Sequence, residues 1–193
     1  MNNIDGVVHN CFQSNGLELL GVVFAESDQI AQNRYIDWLE QGFQGEMNFL
    51  VSHVGAKYNP QAIMPAAKSI FFTAINYFQE TKKTVGKNGR VSRYAWGRDY
   101  HKTFGKRLRN VAVQLSEKFP EHHFRSFIDA GPLDERFFAS RAGLGHIGNN
   151  GILITKEFGS WCFLGEIIST FEYTNFTKKI KKYKDCPSSA TFE

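Results

Sequence analysis

The stretch Ile128–Glu166, IDAGPLDERFFASRAGLGHIGNNGILITKEFGSWCFLGE, constrains this chain more than any other part of it. It joins an acid, a Gly-Pro turn, an amphipathic segment, a glycine-rich loop and an aliphatic strand without a spacer. Asp129 ends the apolar run Phe127-Ile128, which predicts an acid at the tip of a strand. Gly131-Pro132 turns the chain, and proline is well suited to open the helix that follows, expected over 133–142. Phe137, Phe138, Ala142 and Leu144 make that helix's apolar face. An acid at a strand end beside a helix start is a common place for chemistry in layered α and β proteins.

The rest of the chain alternates helical and strand patterns. A helix is expected over 2–14, stopped by Asn15-Gly16, and a strand over Leu19–Phe24. Ser27 is placed to cap the next helix, which turns Ile30, Tyr35, Trp38 and Leu39 inward and ends near Gly42. A short helix over Met47–Val51 and a turn framed by Asn59-Pro60 and Pro65 lead to a strand over Ile70–Phe78. Residues 80–92 read as a polar loop. Asp99 starts a long helix to Phe119, with Phe104, Leu108, Val111, Ala112 and Leu115 as its stripe. Strands are expected over 124–128, 151–155 and 161–168. The mixture predicts one layered α+β domain, and 193 residues suffice for its core.

Composition narrows the setting. Aromatics are frequent, with 18 Phe, as suits an extensive core or a flat apolar ligand. A net charge of +4 permits a nucleic-acid partner without demanding one. Three widely spaced cysteines, Cys11, Cys162 and Cys186, suggest no disulfide framework and fit a reducing, cytoplasmic location. No secretory signal or membrane-spanning run is expected. Lys178, Lys179, Lys181, Lys182 and Lys184 form a basic tail, either solvated or contacting phosphate.

Several spaced motifs together resemble the epoxyqueuosine reductases, cobalamin-dependent enzymes that finish a modified base in tRNA. They are Asp129 with Gly131, Glu135-Arg136, Arg141-Ala142-Gly143-Leu144-Gly145, Asn149-Asn150, Ile152-Leu153-Ile154 and Gly159-Ser160-Trp161-Cys162-Phe163-Leu164-Gly165-Glu166. A second segment, Ser92 to His101 (SRYAWGRDYH), is similar to the family's R-x-[AS]-x-G-x-D-Y-H. A third is Met47-Asn48-Phe49-Leu50 followed by Pro65-Ala66-Ala67-Lys68-Ser69-Ile70. The resemblance implies a nitroreductase-like cobalamin-binding domain over 1–177, with a mixed sheet flanked by helices, and 178–193 as the start of a ferredoxin-like domain.

The same resemblance implies roles for individual residues. Asp129 matches the proton donor to the substrate epoxide, since protonation makes the departing oxygen a far better leaving group than an alkoxide. A strand-end Asp can also serve simply to accept backbone N–H groups of the turn Gly131–Leu133. Cobalamin contacts are implied at Lys57, Ser92, Asp129, Asn150, Leu153, Lys156 and Leu164, with Gly148 shaping the adjacent loop. Lys57 stands where the family carries Arg, keeping the charge without the bidentate fork. Leu153 and Leu164 also read as core. Gly143–Gly148 has the outline of a nucleotide-binding glycine loop but follows a helix rather than a strand. His101 and His146 have no second ligand at metal-site spacing, so no metal ligand is assigned. Glu135 and Arg136 are expected to pair with helix neighbours, and Cys162 to be a small buried side chain.

The family continues into two sets of cluster-binding cysteines. Here Cys186 stands where the first belongs, followed by Pro187-Ser188-Ser189. One cysteine cannot hold a [4Fe–4S] cluster. The expected activity is reduction of epoxyqueuosine to queuosine in tRNA, incomplete in a chain truncated before the clusters. The expected partners are that tRNA and an external electron donor, for a monomer without membrane attachment. The alternatives are a non-enzymatic cobalamin carrier or inactive remnant, and a flavin-binding nitroreductase relative.

Overall fold

The computed structural model describes residues 4–80, 89, 91–129 and 131–174. Helix α1, Ile4–Gln13, is followed by strand β1, Gly21–Phe24, and helix α2, Gln29–Glu40. Two single-turn helices, α3 (Phe49–Ser52) and α4 (Pro60–Ile63), precede strand β2, Ser69–Asn76. A 3-10 turn at Arg93–Ala95 leads to helix α5, Tyr100–Lys118, and strand β3, Phe124–Phe127. Helix α6, Glu135–Arg141, is followed by strands β4 (Gly145–Ile147), β5 (Leu153–Thr155) and β6 (Cys162–Ser169). The expected basic tail and Cys186, and most of the 80–92 loop, lie outside the described residues.

The main sheet has the order β1-β2-β6-β3, and β4 pairs with β5 in a separate hairpin. Every strand pairing among the described residues is antiparallel, which corrects the expectation of a mixed sheet. The reason is the place of the last strand. β2, α5 and β3 form a crossover whose two strands run the same way, but β6 inserts between them and opposes both. Parallel neighbours are thereby converted into two antiparallel pairs.

Both faces of the central strands are covered, so β2 is buried along nearly its whole length. Phe71 and Ile167 face α1 and α5, against Val8, Phe12, Phe104, Leu108, Val111 and Leu115. Ile70, Phe72, Leu164 and Ile168 face α6 and the hairpin, against Phe138, Ala139, Ala142, Leu144 and Leu153. Alternation with period two sends neighbours to opposite layers. Gly165 makes the α5 layer fit: a Cβ there would stand 2.7 Å from Phe104 Cζ and 2.9 Å from Leu108 Cδ2.

The α5 stripe is buried as expected. Asp99 caps that helix, accepting from the His101 N–H. Other local expectations need correction. Asp28, not Ser27, caps α2, accepting from Ala31 N at 2.7 Å. Ile30 is 68% exposed, because the buried position of α2 is Tyr35, whose hydroxyl donates to Leu50 O at 2.9 Å. Helix α6 starts at Glu135 behind the cap Asp134, which accepts from Phe137 N. Pro132 therefore stays in the turn. Residues 145–147, expected as loop, form strand β4 by pairing with β5.

Candidate active site

Strand β3 drives Ile128 into the core and then stops. At Asp129 the backbone enters the left-handed region, φ +53°. Asp tolerates that conformation better than most residues, yet only firm surroundings keep it there. The chain then turns through Gly131-Pro132 to the α6 cap. Asp129 is thus pinned between the start of α6 and the start of α5.

From α5, the Tyr100 hydroxyl donates to Asp129 Oδ2. Burial, followed by this bond and the Asp129 charge, pushes the Tyr100 phenol upward, so it stays a neutral donor. His101 Nε2 lies 4.0 Å from Asp129 Oδ2. Its ring is held from the other side by Asp99, with Nδ1 3.0 Å from Oδ1. The side-chain and backbone bonds to His101 lower the Asp99 carboxyl.

From α6, the Glu135 carboxyl comes near enough to Asp129 to feel its charge. Burial first, and then the Asp129 charge, raise Glu135 to about 8. In place of the expected salt bridge with a helix neighbour, the charge that acts most on Glu135 is that of Asp129. Arg136 instead donates to Gly151 O at 2.6 Å, tying α6 to the 148–152 loop.

Beneath the turn stands Glu166 of β6, only 2% exposed, with no hydrogen-bond partner for Oε2 among the described residues. Its Oε1 would be 3.3 Å from a Cβ placed on Gly131. Burial, then the charges of Glu135 and Asp134, hold it well above the usual carboxylate range. Cys162, on the same strand, is pushed up to about 11 by burial and by Glu135, so it remains a thiol.

An aromatic shelf borders this acidic corner. Tyr100 stacks on Phe163 with ring centroids 3.8 Å apart and planes 7° from parallel. Phe163 meets Tyr77 at 4.6 Å, Tyr77 meets Trp161 at 5.7 Å, and Trp161 meets Phe78 at 5.3 Å. The Arg93 guanidinium lies over both Phe78 and Trp161. Phe78 and Trp161 stay partly exposed beneath that guanidinium.

The residues singled out from sequence fall at several places around this corner. Ser92 is exposed and immediately precedes Arg93 at the shelf. Lys57 sits over the Tyr35 ring with Nζ 4.0 Å from Asp134 Oδ2, and its carbonyl accepts from Asp134 N. Tyr58 OH donates to the same Asp134 carboxylate at 3.0 Å. Lys57 is therefore linked to the corner through the α6 cap. Asn150 folds its Oδ1 onto Ile152 N, next to Gly148. Leu153 and Leu164 are both buried in the layer under α6. Lys156 is exposed and lines a cavity of about 180 Å³ with Leu20, Leu144 and Phe158. A second cavity, about 280 Å³, opens between α5 and β3 beside His101 and Ile128.

Three participants escape a sequence reading: Tyr100, Glu135 and Glu166. For Glu135 a signal existed, since it lies six residues from Asp129. An acid in the first turn of a helix, however, ordinarily reads as a partner of the helix dipole.

Residues 57–130 match the family model described as epoxyqueuosine reductase QueG, DUF1730. The chain is 37% identical over 145 residues to an epoxyqueuosine reductase of Synechocystis sp., covering 75% of this chain and 49% of that protein. It is similar to the solved structure of epoxyqueuosine reductase from Streptococcus thermophilus, with TM-score 0.75 and 27% identity over 89% of this chain and 47% of that one. The same fold occurs in an epoxyqueuosine reductase solved with an epoxyqueuosine-modified tRNA-Tyr stem loop, at TM-score 0.72 and 24% identity over 88% of this chain and 46% of that one. The chain spans about half the length of the curated relatives it matches.

Proposed function

We propose that this chain, a partial relative of the epoxyqueuosine reductases, forms the cobalamin-binding part of an enzyme reducing epoxyqueuosine to queuosine in tRNA, with Asp129 as proton donor. The observation that carries the assignment is the placement of Asp129. It stands at a left-handed backbone position, takes a hydrogen bond from the Tyr100 hydroxyl, and adjoins the aromatic shelf.

The corner suits a large, flat, mostly apolar macrocycle with a polar fringe. Partly exposed Phe78 and Trp161 supply a surface for the ring. Arg93, Ser92, Asn150 and Lys156 offer polar contacts for the fringe, and Lys57 anchors the cap of α6. Leu153 and Leu164, being buried, contribute backbone groups and the floor. Cobalamin, when bound, supplies the reducing electrons, replenished by an external donor. Loss of an epoxide oxygen as water takes two electrons and two protons. Asp129 supplies a proton to that oxygen, so that it departs as hydroxyl rather than alkoxide. Tyr100 orients the carboxyl by donating to Oδ2. A cytoplasmic setting follows from a tRNA substrate. We assign the cobalamin-binding domain to residues 1–177.

Titration of the purified protein with cob(II)alamin, followed by visible and EPR spectra, tests the reading. A shift to a base-off, low-coordinate cobalt spectrum at micromolar protein is expected. An unchanged spectrum overturns the assignment. Binding without reduction of epoxyqueuosine-tRNA by an external reductant leaves the carrier alternative.

A further inference from the structure

We infer that the outer flank of helix α5 holds the RNA backbone, with one phosphate seated on Arg109 and Ser126 in the cavity between α5 and β3. The inference rests on the proposed tRNA substrate and names residues that hold it. Helix α5 is covered unequally. Its apolar stripe packs on the sheet, and on one flank Arg107 donates to Asn15 O at 2.7 Å. On the other flank Lys102, Lys106 and Arg109 recur at i, i+4 and i+7, all exposed. They form one row about 10 Å long. The row then continues to Val113 and Glu117, so its positive charge is confined to the part nearest Asp129.

A cavity of about 280 Å³ lies beside this row. Gly105 and Arg109 of α5 line one side, and Ser126 and Ile128 line the other. No acidic side chain lines it among the described residues. Strand β3 is an edge strand of the main sheet, so the cavity lies at the sheet's margin. Gly105 keeps this space. Glycine weakens a helix interior relative to alanine. A Cβ on Gly105 would meet Arg109 Nη1 at 3.5 Å and Ile128 Cδ1 at 3.8 Å, which are ordinary contacts. Close packing therefore does not demand glycine there, and its missing side chain leaves room beside the guanidinium.

The donors at the cavity are uncommitted. Arg109 makes no hydrogen bond or ion pair, and the Ser126 hydroxyl no hydrogen bond, among the described residues. A guanidinium fork and a hydroxyl are both donors and suit the oxygens of a phosphate. The cavity also adjoins the reacting corner. His101 lines it and stands 4.0 Å from Asp129 Oδ2, and Ile128 lines it and precedes Asp129 in the chain. A strand presenting a base to Asp129 must pass close by. A phosphate held here, with Lys102 and Lys106 along its path, fixes the strand's position without reading its sequence.

Fluorescence anisotropy of a labelled tRNA anticodon stem loop, titrated with the full chain at several salt concentrations, tests the inference. Wild type is expected to bind, with affinity falling as salt rises. Arg109→Gln is expected to weaken binding several-fold and to reduce the slope of log affinity against log salt by about 0.7, the share of one phosphate in a single strand. Gly105→Leu, which fills the cavity without changing charge, is expected to do the same. Lys118→Gln, at the far end of α5, should leave the slope in place. If Gly105→Leu fails to fold, Arg109→Gln, at an exposed position, still decides the matter. A slope unchanged in Arg109→Gln, or lowered equally by Lys118→Gln, overturns the phosphate seat while the tRNA reading stands. Inorganic phosphate displacing the stem loop far better than chloride at equal ionic strength marks a free-anion pocket and overturns the RNA assignment. A wild-type chain that binds no stem loop overturns the inference outright, and cob(II)alamin binding by that chain then shows that the cofactor assignment survives it.

Discussion

Glu135 makes the stability of this protein depend on pH in a direction opposite to that of ordinary carboxylates. In the folded chain it holds its proton to about pH 8. In the unfolded chain a glutamate releases it near pH 4.3. Between those values the folded state binds one more proton, so unfolding free energy falls as pH rises. The contribution is complete below about pH 4 and is lost as pH climbs through 8. One extra proton corresponds to a slope of about 1.4 kcal/mol per pH unit, or about 3 kcal/mol between pH 5 and 7.5. Glu166 adds a slope of the same sign, but it is present in wild type and variant alike. Asp28 and Asp99 have lowered carboxyls, so their contributions are lost only as pH falls into the acidic range, below this window. The perturbation is Glu135→Gln, and the assay is urea unfolding followed by tryptophan fluorescence at half-unit pH steps. The wild-type line is expected to fall more steeply than the variant's by up to one proton's worth of slope. Parallel lines would refute the reasoning, because Glu135 would then titrate alike in folded and unfolded chains.

Two further substitutions probe the packing that supports the corner. Gly145→Ala places a Cβ 2.1 Å from Ile154 O and 2.7 Å from Ile154 C, backbone atoms that cannot swing aside. The β4–β5 hairpin should open at about 1–3 kcal/mol, seen as faster amide exchange at Gly148, whose N–H donates to Ile152 O across it; unchanged protection would contradict this. Phe138→Ala empties a fully buried position in the layer under α6 and should destabilise by about 3–5 kcal/mol. A urea midpoint within error of wild type would show that the layer refills the space.

What was legible in the sequence was mostly local. The α5 stripe follows a helical period within one segment, and Asp99 is adjacent to the helix it caps, so both could be read directly. Ser27 and Asp28 are neighbouring residues of equal capping aptitude, and only the backbone decides between them. Ile30 looked inward on a helical wheel, yet the wheel cannot say which flank of α2 meets the sheet. Strand β4 escaped because Gly145-His146-Ile147 has weak strand propensity, and its pairing with β5 makes it a strand. Asp129 was singled out by its place after an apolar run and, for its role, by the family resemblance. Its phenolic donor Tyr100 and the nearby Glu135 come from α5 and α6, which no local pattern encodes.

The insertion of β6 between β2 and β3 explains why the corner forms where it does. Register sets Glu166 opposite Phe127, two residues before Asp129. Alternation along β6 then divides its side chains between the two layers. Phe163 goes to the α5 side, where it stacks on Tyr100 and so supports the hydroxyl that holds Asp129. Cys162, Leu164 and Glu166 go to the α6 side, where Glu166 lies against the turn at Gly131 and is itself raised by the charge of Glu135. A single strand thus supports Asp129 from both layers at once. A one-residue slip of β6 would exchange these faces, putting Glu166 against the apolar α5 layer and Phe163 under the turn. The acid, its phenolic donor and the nearby carboxyls are therefore secured by the register that closes the core, and the site and the fold stand or fall together.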